Sequence, residues 1–198
     1  MRRDLITSAT GVVVLTLLLG VAFPLVVEGV SQLAFPGNAN GQRVYANHKL
    51  VGSTLIGQDF AGDPRYFQTR PSATSPLDNA AATTFSNLGP NSVATEQEIA
   101  SNITAYLKLN GPYDPSLTVA DVPVDAAQSS ASGIDPDISV ANADIQAYRV
   151  ARVRHLSLAT VEGLIARYTG GRGLGFSGEP GVNVLQLNLA LDRLGRSV

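Results

Sequence analysis

LITSATGVVVLTLLLGVAFPLVV, residues 5–27, decides how the rest of the chain is read. It holds no ionisable side chain; Arg2, Arg3 and Asp4 stand before it and Glu28 after it. As an α-helix it would run about 34 Å at 1.5 Å per residue, enough for a hydrocarbon layer of roughly 30 Å. A secretory leader has a shorter apolar centre of about 7–15 residues and a small-x-small cleavage site. Only Gly37–Ala39 faintly resembles such a site. The expectation is therefore a retained transmembrane anchor within residues 1–29 and a domain over 30–198. Arg2 and Arg3 lie directly before the span and Arg43 is the first cation after it, so the N-terminus is expected in the cytoplasm and the bulk outside. Thr16, Gly20 and Pro24 follow one another at i, i+4 spacing, an expected packing face for another membrane helix. Ordinary membrane-helix composition accounts for the same residues equally well.

The whole chain has 198 residues, 14 Lys+Arg against 16 Asp+Glu, no Cys and no Trp. That length suits one domain with an appended element. A formal charge of −2 supplies no field for nucleic acid, and none is expected as a partner. Without cysteine there is no disulfide, zinc–thiolate site, iron–sulfur cluster or thiol nucleophile. Intrinsic disorder of the whole chain does not fit 44 % apolar residues.

Beyond a short linker at Phe35–Gly41, Arg43–Ala46 and Lys49–Ile56 read as two strands around a turn at Asn47. Asp59–Val93, rich in Gly, Pro, Ser, Asn and Thr, reads as long ordered loop or disorder. Thr95-Glu96-Gln97-Glu98 has the form of a capping box, opening a helix that places Ile99, Ile103, Tyr106 and Leu107 on one face and stops near Asn110-Gly111-Pro112. Ser139 is the expected cap of a helix to about Arg154, with Ile145, Tyr148 and Val153 among its apolar residues. Ser157 caps another through Val161, Leu164 and Ile165. Residues 184–194 alternate like a strand but also fit a helix, and Asn183 as cap with good helix formers favours helix. The expected fold class is an α+β extracytoplasmic domain on a single N-terminal transmembrane helix. Acidic residues gather between Asp114 and Asp144, and arginines dominate from Arg149 onward, so the first stretch is expected to fold against the second.

No phosphate-loop motif, H-E-x-x-H zinc helix or G-x-S-x-G elbow is present. His48 and His155 fall in turns with no metal-ligand spacing, so neither catalytic nor metal-binding residues are expected. Gly173, Gly175 and Gly178 match G-x-G-x-x-G, but they follow a helix end and run into Glu179-Pro180 rather than opening a helix from a strand. Asp135 and Asp137 flank Pro136 as a turn feeding the Ser139 cap would. Arg70 beside Tyr66 and Phe67 has the make-up of an interface anchor, or of a loop whose arginine pairs with the acidic stretch. From the residues alone the reading stops at an anchored extracytoplasmic interaction domain.

At several segments the chain resembles the C subunit (KdpC) family of the Kdp potassium-translocating P-type ATPases. The resemblance rests on Phe23-Pro24-Leu25 at the end of the span, Gly52–Phe60, Tyr66–Ala73, Ser86–Gly89, Ser132–Ser139, Gln146–Arg154 and Gly178–Asp192, in that order. It implies a single-pass subunit of the cell membrane, working with a channel-like A subunit, an ATP-hydrolysing P-type B subunit and a small F subunit to import potassium. The Asp-Lys-Thr-Gly-Thr motif of such pumps is missing here, which implies a non-enzymatic accessory role with no tightly bound cofactor. One family proposal, a catalytic chaperone that raises ATP affinity, implies a nucleotide contact at Gln58. The expected topology puts Gln58 on the other side of the membrane from ATP, so any nucleotide would act through the complex. The alternative has the domain outside as a lock on the complex, with Tyr66, Phe67, Arg70, Asp135 and Asp137 as interface candidates. A free-standing anchored solute-binding or enzyme domain is the reading from a different class.

Overall fold

The computed structural model describes residues 1–195, so the last three residues of the expected 30–198 domain lie outside the described residues. Two compact units divide the chain, Met1–Val51 and the stretch from Gly52 onward.

In the first unit, α1 (Arg2–Leu17) and α2 (Phe23–Ala34) join through a π-helical turn at Leu18–Ala22. The reason lies one residue further on. Pro24 has no N–H to give, and in regular α geometry its ring would press on the carbonyl of Gly20. The π turn relieves this, Phe23 N–H reaching back to Leu18 O. Together they make one helix of 33 residues, Arg2–Ala34, long and apolar enough to cross a membrane, with no side chain buried within the chain. The helix thus continues past Val27, where the uncharged run ends. A Cβ at Gly20 would meet Thr16 Cγ2 at 3.9 Å, so these two do lie on one side of the helix. The short α3 (Pro36–Ala39) follows, then β1 (Arg43–Ala46) and β2 (Lys49–Ser53), paired as a hairpin. Asn47 and His48 turn it with φ of 49° and 62°, the left-handed pair that a type I′ turn needs. The second strand stops at Ser53 rather than Ile56, because the Ser53 hydroxyl and carbonyl accept from Leu55 and Ile56 N–H and bend the chain into a turn.

The second unit is mixed helix and strand. Its helices are α4 (Val93–Asn110), α5 (Val124–Ala127), α6 (Val140–Val153), α7 (Leu158–Tyr168) and α8 (Val184–Leu194). Its sheet is small and antiparallel, order β3–β5–β4, from Asp137–Ser139, Gly181–Asn183 and Thr169–Gly170, with Ile138 opposite Val182. Residues 184–194 are helix, as the Asn183 cap suggests: its side chain accepts from Gln186 N–H at 3.2 Å. Ser139 and Ser157 cap α6 and α7 in the same way.

The helix from the expected Thr95 box starts earlier. Ser92 is the cap, accepting from Thr95 N–H at 3.1 Å, while Thr95 donates its hydroxyl to Gly89 O. Glu98 reaches away instead, to the Ser129 hydroxyl, so the reciprocal half of the box is not made.

The core joins Ile138 and Val182 of the sheet to Ala143, Ala147, Val150 and Ala151 of α6, Val161 and Ile165 of α7, and Val184, Leu187 and Leu191 of α8. Alanines at i, i+4 and i+8 on α6 let α7 approach closely; α6 and α7 are the most intimately packed pair of elements. The buried face of α6 combines small and polar side chains. Tyr148 is exposed, whereas Asn142, Gln146 and Arg149 point inward beside the alanines. Three strongly polar groups in a core stripe must all be satisfied.

Candidate functional site

The loop from Asp59 to Asp78 serves two of them, Gln146 and Arg149. Arg149 is 0 % exposed. Its Nε donates to Asn110 Oδ1 at 2.9 Å, Nη1 to Pro64 O at 2.9 Å and Tyr66 O at 2.8 Å, and Nη2 to Gln146 Oε1 at 2.6 Å. Burial pushes its pKa down to about 10, so the guanidinium keeps its charge at neutral pH. Gln146 pairs with the next residues of the loop, accepting from Gln68 N–H at 2.8 Å and donating to Gln68 O at 3.1 Å. From α8, Asn188 does the same for Phe67, accepting from its N–H and donating to its carbonyl, both at 2.9 Å.

Two side-chain amides thus stand in for a neighbouring strand along Phe67-Gln68, and an arginine fork closes the loop just before them. Phe67 is 0 % exposed and packs in the core. Asn142, tied to Gln146, is anchored in turn by Tyr106 and by Asp125, whose carboxylate also accepts from the N–H and hydroxyl of Ser139. Burial holds the Tyr106 phenol well above its usual range, which keeps it a donor.

Over this loop lies a cleft of about 470 Å³ whose lining includes Phe60, Leu77, Asp78, Tyr106, Leu109 and Gln146. Asp78 has φ 55° and accepts from the Thr69 hydroxyl at 3.2 Å. Burial raises its pKa to about 6, with Asp59 adding to the shift.

The sequence-predicted residues are distributed as follows. Arg70, Asp135 and Asp137 come together in an open groove with Asp125 and Glu179. Arg70 Nη1 meets Asp135 Oδ2 at 2.9 Å, the second of the two arrangements expected for Arg70. Asp135 Oδ1 accepts from Asp137 N–H, turning the chain at Pro136 into β3. Burial and the neighbouring Asp135 hold the Asp137 carboxyl above its usual range against a hydrogen bond from Asn183.

Tyr66 is separate from that groove. It stacks on Phe60 at 5.4 Å, lies under the Arg154 guanidinium at 4.8 Å and donates to Asp192. Phe67 presents no surface, so it cannot serve as an interface contact; it is a core residue, fixed there by Asn188. Gln58 folds back over Gly52, where a Cβ would collide with its amide. His48 and His155 are both exposed. Among the described residues no group of His, Asp and Glu is placed to hold a metal ion.

The acidic stretch does meet α6, through Asp125, which accepts from Asn142 Nδ2 and from Ser139, but Arg149, Arg154 and Arg172 find their partners elsewhere. Arg149 goes to carbonyls and amides, Arg154 to Asp192 at 2.8 Å and Arg172 to Glu179 at 2.6 Å, while the acidic stretch sends Asp135 to Arg70. Arginine's planar fork carries many donors, and buried backbone carbonyls need them more than exposed aspartates do.

Sequence reading missed Asn110, Gln146, Arg149 and Asn188. The signal was present: Asn142, Gln146 and Arg149 fall at i, i+4 and i+7, in step with Ala143, Ala147 and Val150.

A membrane-competent helix leading into a braced α+β domain defines a class: proteins that carry a folded domain on one N-terminal apolar helix. The family described as K+-transporting ATPase, c chain, matches residues 5–193. Proteins named "Potassium-transporting ATPase KdpC subunit" are similar over nearly their whole length. That of Mycobacterium tuberculosis is 47 % identical over 194 residues, 98 % of this chain and 100 % of its own. That of Methylococcus capsulatus is 53 % identical over 180 residues, covering 90 % and 92 %. That of Koribacter versatilis is 43 % identical over 192, covering 97 % and 95 %. The chain belongs to the KdpC family and is a subunit of a potassium-transporting ATPase.

Proposed function

We propose that the chain is the accessory subunit that holds such a complex in its transporting form, its domain outside the cell and its N-terminus in the cytoplasm. The carrying observation is the joining of one membrane-competent helix to a domain whose loop is immobilised by buried amides and arginine. A single helix cannot enclose a pore, since a pore needs several spans or a barrel around it. A braced domain offers its partners a surface that is already ordered, which lowers the entropy lost on binding. Arg2 and Arg3 before the helix support the orientation.

In this reading the channel-like A subunit, the P-type B subunit, the small F subunit and the surrounding lipid are the partners. Catalysis and ATP belong to the B subunit, and this chain carries no resident cofactor. The groove of Arg70, Asp135 and Asp137, with Tyr66 apart from it, supplies contact surface, and Thr16, Gly20 and Pro24 supply the helix-packing face. Gln58 acts locally, filling the space over Gly52.

Because the chain has no cysteine, a single reporter tests the orientation directly. Ser101→Cys, exposed on α4, should react with a membrane-impermeant maleimide on intact cells. Reaction only after the membrane is opened would invert the topology and with it the external lock. Removing the chain from cells that express the other subunits should abolish the intact complex and potassium uptake. Unchanged uptake would end the accessory reading.

A further inference from the structure

The glycine-punctuated segment that matches a phosphate-loop pattern forms a closed hairpin. Gly173 N–H donates to Ser177 O at 2.7 Å and Ser177 N–H returns to Gly173 O at 2.8 Å. Between them Leu174 and Gly175 take φ of 54° and 82°. Glycine adopts that conformation freely, but a leucine in it is strained. Both apolar side chains of the hairpin face outward: Leu174 is 90 % exposed and Phe176 is 75 %. From Gly52 onward no other large apolar side chain among the described residues is as exposed as either. Residues 173–178 carry no charge, and the base is closed by Arg172–Glu179 at 2.6 Å.

We infer that this hairpin is a docking finger that seats Leu174 and Phe176 in an apolar socket on another protein subunit of the ATPase. The inference deepens the accessory-subunit reading and rests on it. A leucine and an aromatic ring on a pre-ordered support are the make-up of an interface hot spot, and a polar pair at the base supplies the rim that excludes water. Lipid is the poorer occupant. Loops and helices that enter anionic membrane surfaces carry free basic shoulders. Here the shoulder cation is engaged, and its partner Glu179 is 79 % exposed at the base.

The test uses the full chain co-expressed with the other subunits in membranes. With Phe176→p-benzoylphenylalanine, irradiation should join this chain to a second kind of subunit through an apolar peptide of that subunit. The same probe at Val119, exposed but away from the hairpin in sequence, should give no such adduct. The double variant Leu174→Ser/Phe176→Ser should lower the amount of chain recovered with a tagged partner by about tenfold after dilution in detergent, the loss expected for one anchor contact. An adduct to lipid or to a second copy of this chain would overturn the inference. So would equal adducts from both positions, or no adduct and unchanged recovery of the double variant while the wild-type chain co-purifies. In each of these cases the accessory reading stands. If the wild-type chain co-purifies with no subunit, that reading falls and takes the finger with it.

Discussion

Two irregular segments, residues 64–72 and 172–178, each hold arginine, serine and a single phenylalanine, yet they are built in opposite ways. The first has almost no bonds of its own and borrows them from α6 and α8; its Phe67 is 0 % exposed. The second closes on itself through Gly173 and Ser177 and holds Phe176 75 % exposed. An aromatic residue in a loop therefore says little about its fate until the partners of the neighbouring backbone are known. Where distant side chains satisfy the backbone, the ring is drawn into the core; where the loop satisfies itself, the ring is free for something else.

The largest test of that contrast is Arg149→Met. The thioether keeps much of the volume but removes the donors to Pro64 O and Asn110 Oδ1, leaving those acceptors unmet, and one of the two donors to Tyr66 O. We expect a loss on the order of 3–5 kcal/mol, read as a large drop in denaturation temperature. A loss under about 1 kcal/mol would mean that the loop is held by apolar packing alone. Asn188→Leu is the second test. It strips both bonds from Phe67 and should destabilise by about 2–3 kcal/mol. It should also raise amide exchange at Phe67 above that in the hairpin.

These two residues mark where sequence reading stopped. The caps of α6, α7 and α8, the β1–β2 hairpin and the apolar helix were all legible, because each is set by residues within a few positions of one another. The clamp spans 78 residues from Gln68 to Gln146 and 121 from Phe67 to Asn188. No local rule reaches that far. What could be read was the anomaly itself, polar side chains in the alanine stripe of α6. The exposed hairpin was legible as glycine-rich but not as a hairpin, since the bonds that close it depend on left-handed backbone at Leu174, which leucine seldom adopts. Charge segregation says that two stretches meet but not which atoms pair: it counts charges, whereas the buried Arg149 is recruited by carbonyls.

Six residues beyond the first segment, outside the clamp, Asp78 shows what an incompletely served group does. Its folded pKa, near 6, lies above the usual 3.8 because burial disfavours the carboxylate. The folded chain then holds more protons than the unfolded chain between those values, so this group's contribution to stability falls as pH rises from about 4 to about 6 and is level above that. Asn also tolerates left-handed backbone, so Asp78→Asn should keep the turn and remove the penalty. We expect a gain of about 1 kcal/mol at pH 7–8, allowing for solvent screening of a partly open site, and none below about pH 4. A variant equally stabilised across that range would show that the carboxylate is not the cause.

The smallest effect is expected at the other segment, and its smallness is informative. Phe176→Ser removes a ring that the domain does not use, so stability should move by no more than about 0.5 kcal/mol. The Gly173–Ser177 bonds are between backbone atoms and should persist, visible as unchanged amide exchange at Ser177. A loss of a kilocalorie or more, roughly what a half-buried aromatic contributes, would mean that the ring is packed within the chain. The two phenylalanines would then differ in degree rather than in kind, and the freedom of Phe176 to meet another subunit would disappear with that difference.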